Sequence, residues 1–217
     1  MRDARVAGAL PLACIGCLTV AALVMPSAGA AKARAARSCE PPHTATIARD
    51  RQVRVYQTHD RFGNQIARAC LYRTAKTYDL GGRTRDHLGN RDFVSPVLLS
   101  RAIVGWEDST ADRYGNQGYE IKVRNLASGR TLHDVFGPSG EPVTTSGLVM
   151  DSAGSVAWIS AGQIPSIATS PELFKSDTSR GAQLLDASDG CCGSLRRSGK
   201  TLSWIDGTSE RTAQFVR

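Results

Sequence analysis

Beyond residue 38 the apolar residues of this chain fall in short runs that alternate with polar positions, and small turn-forming residues separate the runs. That is the period of β-strands with covered faces. The stretch Leu148-Val149-Met150-Asp151-Ser152-Ala153-Gly154-Ser155-Val156-Ala157-Trp158-Ile159 sets two apolar runs around Asp-Ser-Ala-Gly. It predicts a hairpin, with Gly154 at the positive φ that a tight turn requires. The pattern recurs over 97–106 and 194–205, and in weaker form over 45–56. Three copies close on a tryptophan (Trp106, Trp158, Trp204), which returns after 52 and then 46 residues; Tyr56 or Val55 holds that place in the first copy. After each comes a polar loop and a second hairpin: 69–73 with 77–80, 119–124 with 131–135, and 172–175 with 182–185.

Two hairpins per copy make four strands, and a strand-filled period of about 40–50 residues is the mark of propeller blades. No helix-length run places apolar residues at i, i+3, i+4 and i+7. The expected fold class is all-β: a propeller-like array of about four four-stranded antiparallel sheets, closed or open. The last copy stops after 212–216, one strand short. The tryptophans read as rings packed between adjacent sheets rather than as a ligand-stacking surface, because aromatics on alternating strands belong to cores.

The segment from Asp151 to Ile159 resembles the turn-and-strand unit of TolB-like and WD40-like β-propeller repeat proteins, where a small or acidic residue and a glycine precede an apolar strand. Over about residues 43–217 the pattern looks like that of uncharacterised secreted propeller-like proteins of high-GC bacteria. The Gly-His and Trp-Asp dipeptides of WD40 blades are missing, and Trp204-Ile205-Asp206 does not replace them. The resemblance implies an architecture and carries over no functional residue.

The N-terminus reads as an export signal. Arg2 and Arg5 precede a run over 6–24 that is apolar apart from Thr19, Pro26 breaks it, and Ala28-Gly29-Ala30 offers small residues for cleavage after Ala30. An uncleaved anchor is the alternative, since the run is nearly long enough to span a bilayer; a lipidated Cys14 or Cys17 lacks a convincing small-residue motif. The expected divisions are a signal peptide over 1–30, a flexible leader over 31–38 and one β-propeller-like domain over 39–217. After cleavage no membrane span is expected. An oxidising compartment lets the four remaining cysteines pair. Cys39–Cys70 as a staple, with Cys191–Cys192 vicinal, is the preferred pattern; the competing one ties Cys39 to Cys191 or Cys192 and closes the ring.

Lys and Arg exceed Asp and Glu by 27 to 20, a formal charge of +7. The excess is spread along the chain without a nucleic-acid motif, so it describes a basic surface and not a nucleic-acid partner. Of the histidines, His59, His87 and His133 each adjoin an aspartate (Asp60, Asp86, Asp134), yet adjacent strand residues point to opposite faces and cannot chelate together. Residues 107–116 (Glu-Asp-Ser-Thr-Ala-Asp-Arg-Tyr-Gly-Asn) read as a solvated loop; their oxygens suit calcium, but the spacing is not that of an EF-hand. No nucleophile elbow, phosphate loop, zinc signature or dinucleotide fingerprint is present. No catalytic, cofactor-binding or metal residue is therefore assigned, and no cofactor.

These features lead to the expectation of an exported monomer, a non-catalytic binding or scaffolding module of the extracellular space or cell envelope. Its partner would be an envelope protein or polymer. The alternative is a secreted hydrolase of envelope glycans or peptides, with His59, Asp60, Asp86 and His87 converging at one mouth of the array. A third possibility is an envelope protein that only packs against a larger partner.

Overall fold

The computed structural model describes residues 39–82, 91–111, 117–136, 143–164, 167–168, 170–177 and 181–216. Strands fill them, and no helix occurs among the described residues. The first sheet holds β1 (Ala45–Arg49), β2 (Val53–His59), β3 (Gln65–Leu71) and β4 (Lys76–Gly82). The second holds β5 (Arg91–Ser100), β6 (Ile103–Ala111), β7 (Gln117–Asn125) and β8 (Arg130–Phe136). In the third, β9 (Val143–Met150) and β10 (Val156–Ile164), extended by the two-residue β11 (Ile167–Ala168), precede β12 (Glu172–Ser176) and β13 (Ala182–Asp186). The fourth has only β14 (Cys191–Ser198), β15 (Thr201–Asp206) and β16 (Ser209–Gln214). Every pairing is antiparallel, and each main strand lies beside its neighbour in sequence. The predicted hairpins are present, and Gly154 turns at φ +97° between β9 and β10.

Period-two alternation gives each second strand two faces, and the tryptophan always takes the one turned toward the preceding sheet. Val104 and Trp106 pack with Val53, Val55, Ala67, Ala69, Tyr78 and Leu80 of the first sheet. Val156 and Trp158 pack with Ile103, Ile121 and Val123 of the second. Leu202 and Trp204 pack with Ala157, Ile159 and Leu173 of the third. The first strands also meet in order, β1 with β5, β5 with β9 and β9 with β14. Each tryptophan is at least nine-tenths buried, as expected of a spacer between sheets.

In the first sheet Val53 and Val55 point forward into this core, so Arg54 and Tyr56 point backward, where no sheet precedes them. Tyr56, and not Val55, thus takes the place of the tryptophan. A short N-terminal segment covers it. Cys39, bridged to Cys70, packs on Tyr56, and the Arg54 guanidinium donates to the Cys39 carbonyl at 2.8 Å and to Thr46 and Thr44 hydroxyls at 2.9 and 3.1 Å. Arg54 is 6% exposed despite its charge. At the other end, the fourth sheet turns Arg196, Ser198, Thr201, Ser203, Glu210, Thr212 and Gln214 outward, with Ile205 as an exposed apolar residue among them; directly opposed residues share a face. Among the described residues no hydrophobic cluster joins the fourth sheet to the first.

One expectation changes, and one alternative is set aside. The polar run after Trp106 is not all loop: β6 continues through Ala111, because Glu107, Asp108 and Ser109 pair across to Ile121, Glu120 and Tyr119. Residues 112–116 lie outside the described residues. The ring-closing disulfide is not formed, since Cys39 pairs with Cys70, and Cys191 and Cys192 bring their sulfurs together. The signal peptide and leader lie outside the described residues.

The Cys39–Cys70 bridge closes a loop of 31 residues, worth about 3–4 kcal/mol by loop entropy. Replacing both cysteines with alanine is therefore expected to lower the unfolding free energy in urea by about 3 kcal/mol. A non-reduced peptide map is expected to join Cys39 to Cys70. A bridge from Cys39 to Cys191 or Cys192 would refute the arrangement.

Candidate functional site

Each seam between sheets buries an indole, and a buried N–H without an acceptor costs about 1–3 kcal/mol. Two seams satisfy it from the preceding sheet. Trp158 Nε1 donates to the Tyr119 hydroxyl at 3.1 Å, and Trp204 Nε1 donates to Asp186 at 2.7 Å. The Trp204 hydrogen bond, ahead of smaller contributions, holds the Asp186 carboxyl below its usual range. Among the described residues Trp106 Nε1 meets no hydrogen-bond partner. Instead Trp106 borders a cleft of about 300 Å³ between the first and second sheets.

The cleft follows from register. On the face of the second sheet turned to the first, Trp106 lies opposite Lys122 and Lys122 opposite Asp134; beside this row Asp108 lies opposite Glu120. The Lys122 ammonium reaches Asp108 at 2.8 Å and also Glu120. Burial alone would lower the Lys122 pKa, but the two carboxylates outweigh it and raise it. Glu120 is pushed up, first by burial and then by its hydrogen bond with Asp134, against the pull of Lys122. Arg124 stacks over the Tyr78 ring at 5.2 Å and donates from Nε to the Gly129 carbonyl. Tyr78 in turn donates its hydroxyl proton to the Leu126 carbonyl and ties the first sheet to the second.

The wall from the first sheet is backbone. A bulge at Leu80 interrupts the pairing of β3 with β4, and Asp79 accepts the Gly81 amide at 3.0 Å to hold it. Gly81 sits at φ +130°, and a Cβ there would lie 3.1 Å from an Asp108 carboxylate oxygen and 3.2 Å from Val94. Glycine thus lets β4 approach Asp108 without displacing it.

The acid–base candidates from the sequence are scattered. His59 ends β2, and Asp60 begins the turn after it, where its carboxylate accepts the Phe62 and Asn64 amides at 2.7 and 2.9 Å. Those hydrogen bonds outweigh the larger single effect of desolvation and keep its pKa low. Asp86 and His87 lie outside the described residues. His133 and Asp134 do point to opposite faces: Asp134 enters the cleft, while His133 packs toward the third sheet and shares a 2.8 Å hydrogen bond with the Ser176 hydroxyl. Asp177 and Asp151 lie near this His–Ser pair, yet burial lowers the His133 pKa more than they raise it. His133 is 6% exposed and Ser176 fully buried, so the pair is a seam contact that a substrate does not reach. Beside it Lys175 donates to the Gln214 carbonyl, and Asp177 accepts the Val216 amide, which fastens the end of the fourth sheet to the third.

Glu107, on the opposite face of β6 from Asp108, is also buried. Burial raises its pKa to about 7, and the Ser109 hydroxyl only partly offsets this. Among the described residues no group of histidines, cysteines or carboxylates is arranged to hold a metal ion. The sequence marked Trp106 as one of three alike; only the neighbouring sheet distinguishes it. No family model, curated protein or solved structure matches the chain. The likeness to TolB-like and WD40-like repeats therefore rests on the motif from Asp151 to Ile159.

A carboxyl whose pKa is higher folded than unfolded contributes stability below its unfolded value, and that stability is lost as the pH rises through the folded value. For Glu107 the window runs from 4.5 to about 7. Glu107→Gln is expected to gain about 2–3 kcal/mol near pH 8 and almost nothing near pH 4. Urea unfolding at both pH values reads this directly, and an equal gain at both would contradict it.

Proposed function

We propose that this chain is an exported, non-catalytic binding module of the cell envelope or extracellular space, and that its ligand sits in the cleft between the first and second sheets. The observation that carries this is the polar cleft of about 300 Å³ that Trp106 borders at the first seam. Asp79, Asp108, Asp134, Lys122 and Arg124 border it, polar groups that a small polar ligand can engage. The Cys39–Cys70 disulfide is compatible with an extracytoplasmic setting. No helix among the described residues is long and apolar enough to cross a membrane. A repeat array whose first sheet is covered by a disulfide-tied segment suits a rigid platform for such a site. The hydrolase alternative has less support: Asp60 is engaged in a turn, and the buried His133–Ser176 pair is closed to substrate.

The three indole N–H signals in a proton–nitrogen correlation spectrum test the reading. Trp106→Phe assigns one of them. Titration with fractions of an envelope extract is expected to move the Trp106 signal first and to leave those of Trp158 and Trp204 in place. Binding that moves the other two and not Trp106, or no binding from any fraction, would overturn it.

A further inference from the structure

We propose that Cys191 and Cys192 form a redox switch. A dithiol opens their bridge in the folded protein, a small disulfide recloses it, and its state sets the seam between the third and fourth sheets. A structural staple works by closing a long loop of the unfolded chain, as Cys39–Cys70 does over 31 residues. A bridge between neighbours in sequence closes no such loop, so what it fixes is local. Successive residues of a strand point to opposite faces. Cys191 and Cys192 nevertheless both lie buried in the apolar cluster with Leu173, Leu202 and Trp204. The backbone yields to allow this. Cys191 lies opposite Asp206 and Gly193 opposite Ile205, so Cys192 bulges from the pairing between them. It does so at φ +132°, in the region that favours glycine. With the bond open, that conformation loses its restraint. Cys192 then returns to ordinary strand geometry and turns its sulfur to the other face.

Hydrogen bonds carry the change to the seam. The Cys191 amide donates to the Ser188 carbonyl at 2.9 Å, and the Ser188 hydroxyl lies 2.6 Å from Asp206 and 3.0 Å from Asp186. Asp186 is in turn the acceptor of the Trp204 indole N–H. The pair is packed but lies close to the surface: residues 187–190 before it and Gly193 and Ser194 after it are exposed. Local opening of this short stretch brings a sulfur to the reductant while the sheets stay paired. A thiolate of the dithiol attacks one sulfur, and the other leaves as a thiolate and takes up a proton. The second thiol of the reductant then displaces the first cysteine, leaving two cysteine thiols and a reductant oxidised to its disulfide. Cys39 and Cys70 are fully buried and joined across the first sheet, so the same reagent meets them last.

Graded dithiothreitol on the folded protein at neutral pH, followed by alkylation and peptide mass mapping, tests the proposal. Cys191 and Cys192 are expected to open at concentrations about tenfold below those that open Cys39 and Cys70. The Trp204 indole signal, assigned with Trp204→Phe, is expected to shift as they open and to return with glutathione disulfide. The Trp106 and Trp158 signals are expected to stay in place. In a protein carrying both Cys191→Ser and Cys192→Ser, the Trp204 signal is expected at the reduced position and indifferent to dithiothreitol. Should that variant not fold, the titration of the unsubstituted chain decides. Opening of both bridges together, or of Cys191–Cys192 only in urea, would make the pair a fixed part of the fold and overturn the proposal. Selective opening with the Trp204 signal unmoved would also overturn it. So would a non-reduced map of the oxidised protein that shows free thiols at both positions or a bridge from either to another cysteine.

Discussion

Everything in this molecule depends on each sheet covering the backward face of the next. A four-stranded sheet with two apolar faces cannot stand in water by itself. Here the need is met in one direction: Trp106, Trp158 and Trp204 each reach back to the sheet before. A rule of that kind leaves two exceptional ends. The first sheet has no predecessor, so its backward face carries Arg54 and Tyr56 beneath a disulfide-tied segment. The fourth turns mostly hydroxyls, amides and charges forward, with Ile205 exposed among them. Terminal units that differ from the interior ones are how stacked-repeat proteins stay soluble.

The same rule explains the cleft at the first seam. The indole N–H comes from the later sheet, and its acceptor must come from the earlier one. The second sheet supplies Tyr119, and the third closes its final strand on Asp186. The first sheet closes its final strand on Gly81-Gly82 beyond a bulge, and glycine has no side chain to offer. What reaches that space instead are Asp108, Lys122 and Asp134 from the second sheet. The cleft is thus a consequence of the first sheet being built to be capped behind and glycine-ended at its rim.

Much of the architecture was legible in the sequence because it rests on local signals. The period of the tryptophans, the turn at Gly154, the missing last strand and the Cys39–Cys70 spacing needed no knowledge of tertiary partners. The site was not legible, because its members meet through register. Asp108 and Lys122 are 14 residues apart, and Ser176 and His133 are 43 apart. The choice between Val55 and Tyr56 likewise depended on which face had a neighbour. Polarity misled over 107–111, where charged residues suggested a loop; cross-strand partners and an ammonium make a strand of them.

The covered first sheet also gives the chain a direction of assembly. Its staple spans residues 39–70, so a chain delivered amino end first has everything needed to close that end before the later sheets arrive. Each new sheet then finds the apolar surface it must cover already standing, and presents a fresh one to the next. The fourth sheet's outer face is instead mostly polar, with Ile205 its exposed large apolar side chain.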